Sequence, residues 1–553
     1  MPQERDGCPD RTHKMIAFAA LIDALIYTRS RNEKLRLIAE YLRITPDPDR
    51  GWALAALTNE LDFPAVKSST IRNLLKERID PVLWTLSRDF VGDTAETASL
   101  LWETGQVGAK TDVAASLSVS EAVGRLSAMT RNSVMSELPG MLDALDVNGR
   151  YALLKLATGG MRVGVSSRLA KTAFAQAFEV SVDDVEEYWH GLEPPFPELF
   201  AWAAEGADPP DIENLPTFRP FMLAHPLEET VVSLDDYAAE WKWDGIRVQL
   251  VRAGQPGEEQ TKLYSRSGDD ISATFPELLD VLPVNAVLDG ELLVRGATQG
   301  GEAGGAASFN ALQQRLGRKT VSKKMLREAP AFVRLYDVLI LEGDDVRQLG
   351  WSDRRGRLER LMPHLPDSHF DLSSLVEARD FEHLAAIRER SRDDAIEGLM
   401  LKRRDAPYLA GRKTGLWYKW KRDPLLVDCV LMYAQRGSGK RSSFFSDYTF
   451  GCWDGDPDEG AELLPVGKAY SGFTDEELKQ LDKIVRSTTT NRFGPVREVE
   501  RTLVFEVAFD SVQESKRHKS GLAMRFPRIH RIRWDKPVHE ADRIEALRAL
   551  VRD

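Results

Sequence analysis

The chain has 553 residues, 42% of them hydrophobic and 29% charged, with a formal net charge of -12. That size suits about three to five domains, and the composition excludes wholesale disorder and a wholly basic coat protein, though not a locally basic groove. Three cysteines, Cys8, Cys429 and Cys452, exclude a disulfide scaffold and a four-cysteine zinc module.

The first 215 residues read as helices. Ala17, Leu21 and Leu25 recur at near-helical spacing, as do Leu35, Leu37, Ile38, Tyr41 and Leu42. The apolar run Met15–Tyr27 is interrupted by Asp23 and falls short of a membrane span. It follows a mixed-charge start (Glu4, Arg5, Asp6, Asp10, Arg11), so it reads as an amphipathic helix, not an export signal. Together with the few cysteines, this predicts a cytoplasmic protein with no membrane partner. Ser68, Ser69 and Thr70 offer N-caps before Ile71–Leu75, and Asp143–Thr158 is a helix stopped by Gly159-Gly160. The segment 161–168 reads as a connector, and prolines between 194 and 220 mark a linker.

From about residue 216 the period changes to two. Strands are predicted at Tyr237–Trp243, Ile246–Arg252, Lys262–Arg266, Val287–Val294, Val333–Leu341 and Gly398–Arg403. Helices are predicted at Phe309–Leu316 and Ser352–Met362, and Gly300–Gly305 reads as a flexible loop. After about 424, strands at Val427–Ala434, Tyr448–Trp453, Leu463–Tyr470 and Thr502–Ala508 surround a helix at Asp475–Val485. That count suggests a small barrel of the oligonucleotide-binding type.

The sharpest string is Glu240-Trp241-Lys242-Trp243-Asp244-Gly245-Ile246-Arg247. It reads as two strands joined by a tight Asp244-Gly245 hairpin turn, with Lys242 at a strand end. A lysine amine becomes a nucleophile when it loses its proton, which partial burial beside other cations favours. Arg247 is expected to point into the same pocket, to contact a phosphate or ribose. A surface hairpin with an exposed lysine is the plainer alternative. Further strings follow in order: Tyr264-Ser265-Arg266, Leu288-Asp289-Gly290-Glu291, Leu335-Tyr336-Asp337, and Glu397-Gly398-Leu399-Met400-Leu401-Lys402. In Trp417-Tyr418-Lys419-Trp420-Lys421, period two puts Trp417, Lys419 and Lys421 on one strand face.

In these motifs and their order, the chain resembles an ATP-dependent DNA ligase of the bacterial three-domain form. That family belongs to the covalent nucleotidyltransferases, with RNA ligases and mRNA capping enzymes. The last motif appears as Arg525-Phe526-Pro527-Arg528-Ile529-His530-Arg531-Ile532-Arg533-Trp534-Asp535-Lys536. The resemblance implies an all-α DNA-binding domain over 1–215 that contacts minor-groove backbone. An α+β nucleotidyltransferase domain with antiparallel sheets would follow over 216–422, and an OB-fold barrel over 423–553. It further implies ATP and Mg2+ (with Mn2+ the other metal to consider), nicked duplex DNA as partner, a monomer, and work at the nucleoid in replication, repair or recombination.

The resemblance also implies roles. Lys242 attacks the α-phosphorus of ATP, AMP passes to the 5′-phosphate of the nick, and the 3′-hydroxyl displaces AMP. Glu291 and Glu397 stand on the metal side, with a ribose contact as the alternative for Glu291. Tyr336 stacks on adenine and Glu240 reads its amino edge. Arg247, Arg266, Lys402, Lys419 and Lys421 hold phosphates and ribose, with Trp417 on the same strand. Asp535 and Lys536 swing over ATP to orient pyrophosphate. Where the family often has arginine, six residues before Lys419, this chain has Lys413 with Arg412 beside it, which leaves the contact open between the two.

Gly437-Ser438-Gly439-Lys440 imitates a phosphate-binding loop but lacks its first glycine, so it reads as a β-turn loop that touches DNA. The nine histidines form no zinc pattern. An RNA ligase and a non-catalytic DNA-bridging protein remain the rival readings; an NAD-dependent ligase would need a fourth cysteine for its zinc element.

Overall fold

The structure is a computed structural model that describes residues 15–76, 78–91, 93–102, 117–159, 161–228, 232–295, 312, 315–316, 321–390, 396–437, 444–515 and 518–551. The expected glycine loop at 300–305, most of the helix at 309–316 and most of the 437–442 loop lie outside these residues. The chain forms two compact units. One holds the residues up to Arg78 together with Ala98–Arg422; the other holds Ile79–Thr97 together with Asp423–Asp553.

In the first unit the front is helical. Helix α1 (Met15–Tyr27) buries Phe18, Leu21, Ile22 and Leu25. Helix α2 (Arg31–Ile44) is capped by Ser30 and buries Leu35, Ile38, Tyr41 and Leu42. Helical spacing picks out Leu21, Leu25, Leu35, Ile38, Tyr41 and Leu42 among these; the expected Ala17 and Leu37 are only half-buried, and Phe18 and Ile22 complete the face instead. Helix α3 (Ser167–Phe178), capped by Ser166, packs on α2. The connector before α3 turns at Arg162 (φ 52°) and Gly164 (φ 67°). The buried Lys34 of α2 pins it, donating from Nζ to the Gly164 carbonyl at 3.1 Å.

Helix α4 (Val182–Trp189) is capped by Ser181 and is acidic. Its Glu186 meets Arg168 at 3.0 Å, and its Glu187 meets Arg347 at 2.9 Å and Arg219 at 3.4 Å. His190 follows, edge-on to Phe218 with ring centroids 4.8 Å apart. A Cβ on Gly268 would come within 2.4 Å of the His190 ring, so the 265–269 turn fits there only with glycine. Burial, aided by Lys171 and Arg219, drives the His190 pKa from 6.5 to about 3. The ring is therefore neutral in the folded protein, while the unfolded chain takes up a proton as pH falls through 6.5. This contribution to stability is complete above that pH and drains as pH falls toward 3, by up to about 1.4 kcal/mol per pH unit. Denaturant titrations between about pH 7 and 4 should show a steeper loss in wild type than in His190→Gln.

Two sheets follow, antiparallel as expected in their main strands, each with one short parallel pair at its margin, His225–Pro226 in one and Phe370–Leu372 in the other. One is ordered β3-β2-β4-β5, with β2 at Ile246–Ala253, β3 at Gln260–Ser265, β4 at Ala286–Val294 and β5 at Ala331–Leu341. The other contains β7-β6-β1, with β1 at Tyr237–Trp243, β6 at Ile396–Arg403 and β7 at Trp417–Lys421. The expected hairpin at Asp244-Gly245 is therefore corrected. β1 pairs with β6 and β2 pairs with β3 and β4, so the chain crosses there from one sheet to the other. Gly245 is needed for a different reason: a Cβ would sit 2.5 Å from the Leu292 carbonyl of β4. Phe218, Phe221, Met222, Ala238, Val251, Tyr264, Trp351, Tyr408 and Trp417 pack into one buried cluster that draws on both sheets. Helix α5 (Trp351–Leu361) matches the predicted Ser352–Met362 within a residue and packs on β5.

The second unit is β-rich. Its sheet runs β10-β9-β8-β12-β11, with β8 at Leu425–Arg436, β9 at Phe445–Trp453, β10 at Leu463–Ala469, β11 at Thr489–Phe493 and β12 at Val496–Val499. β8 also pairs with β13 (Val504–Phe509), which pairs with β14 (Arg528–Arg533). Helix α6 (Asp475–Thr488) has a Thr474/Glu477 capping box and buries Leu478, Leu481 and Val485.

Candidate active site

Strand β6 is the axis of the site. Its Gly398 lies opposite Lys242 of β1 and Lys421 of β7, its Met400 opposite Glu240 and Lys419, and its Lys402 opposite Ala238 and Trp417. Alternation along strands then puts Glu240, Lys242, Lys402, Lys419 and Lys421 on one face.

Glu397 would face the other way by that alternation. The register slips between Ile396 and Gly398, so Glu397 is the extra residue of a bulge. Its Oε2 lies 2.6 Å from Lys242 Nζ and 3.3 Å from Lys421 Nζ. Gly398 holds φ 148°, and a Cβ there would lie 2.3 Å from the Trp420 carbonyl. The group nearest the Lys242 amine is thus a carboxylate, where the sequence suggested cations. The neighbouring cation, Lys421, shares that carboxylate.

Tyr336 also stands at a bulge. Asp289 pairs with Asp337 and Gly290 with Leu335, which leaves Tyr336 as the extra residue. Its ring lies 4.5 Å from Lys402 Nζ and 5.9 Å from the Arg247 guanidinium carbon. Arg247, opposite Glu291 on the neighbouring strand, is braced from behind. It donates to the Met222 carbonyl at 2.7 Å and to Asp289 at 3.0 Å, and lies 4.0 Å above the Phe221 ring.

Glu291 accepts from the Gly245 amide at 3.2 Å. Burial pushes its carboxyl up to about 7; Lys242 opposes this and Glu397 adds to it. For Glu397, burial acts upward, but the Lys242 and Lys421 ammoniums overrule it and hold the carboxyl at about 2. Two neighbouring acids are thereby set far apart. Glu240 is 1% exposed and pairs with Lys402 at 3.0 Å and Arg355 at 3.5 Å. Burial raises the Glu240 carboxyl and lowers the Lys402 ammonium, each opposed by the other's charge.

Lys419 is lowered by burial and by Arg412, Lys421, Lys242 and Arg266. Five cations therefore crowd one end of the site. Arg412 is one of them, whereas Lys413 reaches Asp183 of α4 at 3.9 Å. Trp417 is 1% exposed and belongs to the core; Lys402 Nζ sits 4.7 Å from its ring. Lys536 lies in the second unit and pairs there with Asp428.

Sequence reading missed the supports. Asp289 is fully buried and takes Arg247, Gln249 and Tyr408. Arg354 and Asp337 form a fully buried bidentate pair beside Tyr336. The signal was an acid inside an otherwise apolar strand run.

Residues 221–421 match the family described as ATP dependent DNA ligase domain, and residues 441–536 match its C terminal region. A probable DNA ligase of Koribacter versatilis is 34% identical over 429 residues, covering 72% of this chain and 71% of that protein. The chain belongs to the ATP-dependent DNA ligases. A probable DNA ligase of Anaeromyxobacter is also 34% identical, covering 75% of this ligase and 78% of its own length. A solved structure titled Pmar-Lig_Pre matches 94% of the ligase and 99% of its own chain, at TM-score 0.53 and 16% identity, a likeness of fold. The ligase is an enzyme that seals nicks in DNA with ATP. No helix among its described residues is long and apolar enough to cross a membrane.

Proposed function

We propose that Lys242 is the nucleophile of a three-step ligation, at the junction of the two sheets. The observation that carries this is the strand face that Lys242 shares with Lys419 and Lys421 across β6, where Arg266 and Arg412 also act on Lys419. Such a cluster suits a triphosphate and the charge that grows on departing pyrophosphate. Tyr336 stacks on the base, Glu240 and Lys402 border it, and Arg247 faces the ribose. The Lys242 nitrogen attacks the α-phosphorus, the bond to the β-phosphate oxygen breaks, and pyrophosphate leaves. The 5′-phosphate of the nick then takes the AMP from Lys242, and the 3′-hydroxyl attacks that phosphate and expels AMP.

Glu291 and Glu397 fit a divalent cation. They are close enough that Glu397 raises Glu291, and no cluster of three or more acid, histidine or cysteine ligands occurs among the described residues. Magnesium takes one or two carboxylates and completes its shell with water and phosphate oxygens. When bound, it would neutralise charge on the phosphates.

The partner is nicked duplex DNA, held by a monomer at the nucleoid, with the helical front on minor-groove backbone. The second unit is an oligonucleotide-binding barrel. The Ile529 amide, in β14, donates to the Ser471 carbonyl just beyond β10, which supports closure. The three-domain boundaries at 215/216 and 422/423 complete this reading.

Incubation with α-labelled ATP and magnesium should label the protein, pyrophosphate should strip the label, and the labelled peptide should contain Lys242. Label on another peptide sinks the assignment. Arg412→Ala should raise the ATP concentration needed for adenylation by about tenfold, the effect of losing one charge-assisted phosphate contact. Lys413→Ala, turned toward Asp183, should change it by less than about twofold. Single-turnover adenylation against ATP concentration measures both.

A further inference from the structure

The basic residues of the final motif meet a prepared counter-charge in the second unit. β8, β13 and β14 lie side by side, and Asp428, Glu506 and Arg531 face one another across them in register. Asp428 Oδ2 accepts from Lys536 Nζ at 2.7 Å and from Arg533 Nη1 at 3.1 Å. Glu506 takes Arg531 at 2.9 Å and stands 3.8 Å from Arg533. Asp428 is 8% exposed, and its own N–H and C=O are both bonded to Asp542, at 2.8 and 2.9 Å. Its second oxygen, Oδ1, is buried and accepts no hydrogen bond among the described residues. A fixed, buried carboxylate of this kind depends on its cations, and losing one is costly.

We infer that Asp428 is a positioning residue that parks Lys536 and sets how readily the final motif engages ATP. This rests on the proposal that Lys536 orients pyrophosphate. A lysine ammonium at 2.7 Å from Asp428 has to leave it to serve a phosphate elsewhere. The engaged state then bears a buried Asp428 balanced by Arg533 alone, and the parked state does not. Asp428→Asn keeps the shape and removes the charge, so it favours engagement. On this proposal the parked pair is the starting state of free and adenylated enzyme alike. Forward adenylation and its reversal by pyrophosphate should therefore accelerate by one factor, with the equilibrium constant unchanged.

The test is single-turnover kinetics of the full chain at subsaturating ATP. D428N should adenylate about tenfold faster, the factor given by 1.4 kcal/mol. Pyrophosphate-driven release of AMP should quicken equally. Sealing of a nick that already carries 5′-adenylate should stay within about twofold, since it needs no pyrophosphate contact. Asp428→Glu should behave like wild type, and D428N combined with Lys536→Ala should be as slow as Lys536→Ala alone. If D428N lowers the unfolding midpoint, Asp428→Ser, which admits a water, is read in its place. Unchanged or slower adenylation in the folded variant, with Lys536→Ala impaired, overturns the parking role alone. Normal adenylation in Lys536→Ala instead overturns the proposed role of Lys536, and the parking role with it.

Discussion

Lys242→Ala should lose self-adenylation by about ten-thousandfold or more, as removal of a covalent nucleophile does, while keeping its fold. The side chain is partly exposed and its partner Glu397 retains Lys421 at 3.3 Å, so truncation leaves no carboxylate stranded. The neighbouring arrangement is set by backbone: Lys242 faces Gly398, whose conformation belongs to the bulge and not to the lysine. The variant should therefore still seal a nick supplied with its 5′-adenylate in place, because that step uses the cation cluster and not the amine. Loss of both activities together would point to a structural role for Lys242. Retention of adenylation would remove it from the reaction. Labelled-AMP transfer and sealing of the pre-adenylated nick, run on one preparation, separate the outcomes.

How much of this was legible depended on the kind of signal. Periodicity marked α1, α2, α5 and most strands, because burial on one face leaves its period in the sequence. The order of short strings from Lys242 to Lys421 marked the site. What could not be read was register. By alternation alone Glu397 faces away from Lys242, and only the slip between Ile396 and Gly398 turns it inward. The hairpin expectation at Asp244-Gly245 failed because a turn signature says where the chain bends, not which strands pair afterwards. Arg412 and Lys413 are neighbours in sequence with opposite surroundings, one among phosphate-side cations and the other on Asp183 of a distant helix. Long-range partners of that kind leave no local trace.

Glu240→Ala should be the most damaging change to stability at the site, by about 3–5 kcal/mol, the cost of stranding a buried charge. Lys402 is 1% exposed and has Glu240 as its carboxylate partner at 3.0 Å; its other hydrogen bond, to the Tyr336 carbonyl, is 3.4 Å long. Arg355, also buried, loses the same carboxylate but keeps Glu359 at 2.8 Å and the Ser373 carbonyl at 2.8 Å. The penalty therefore falls mainly on Lys402. Glu240→Gln keeps a hydrogen bond without the charge and should cost less. The decisive comparison is Glu240→Ala with Lys402→Met, which removes the stranded ammonium and fills its volume. That pair should recover most of the lost unfolding midpoint, since a buried ion pair replaced by packed apolar groups is often neutral. It should not recover adenylation, because both groups that border the base are gone. If the double variant regains both, the pair is scaffold only. If it regains neither, the stability of this sheet rests on contacts other than the ion pair.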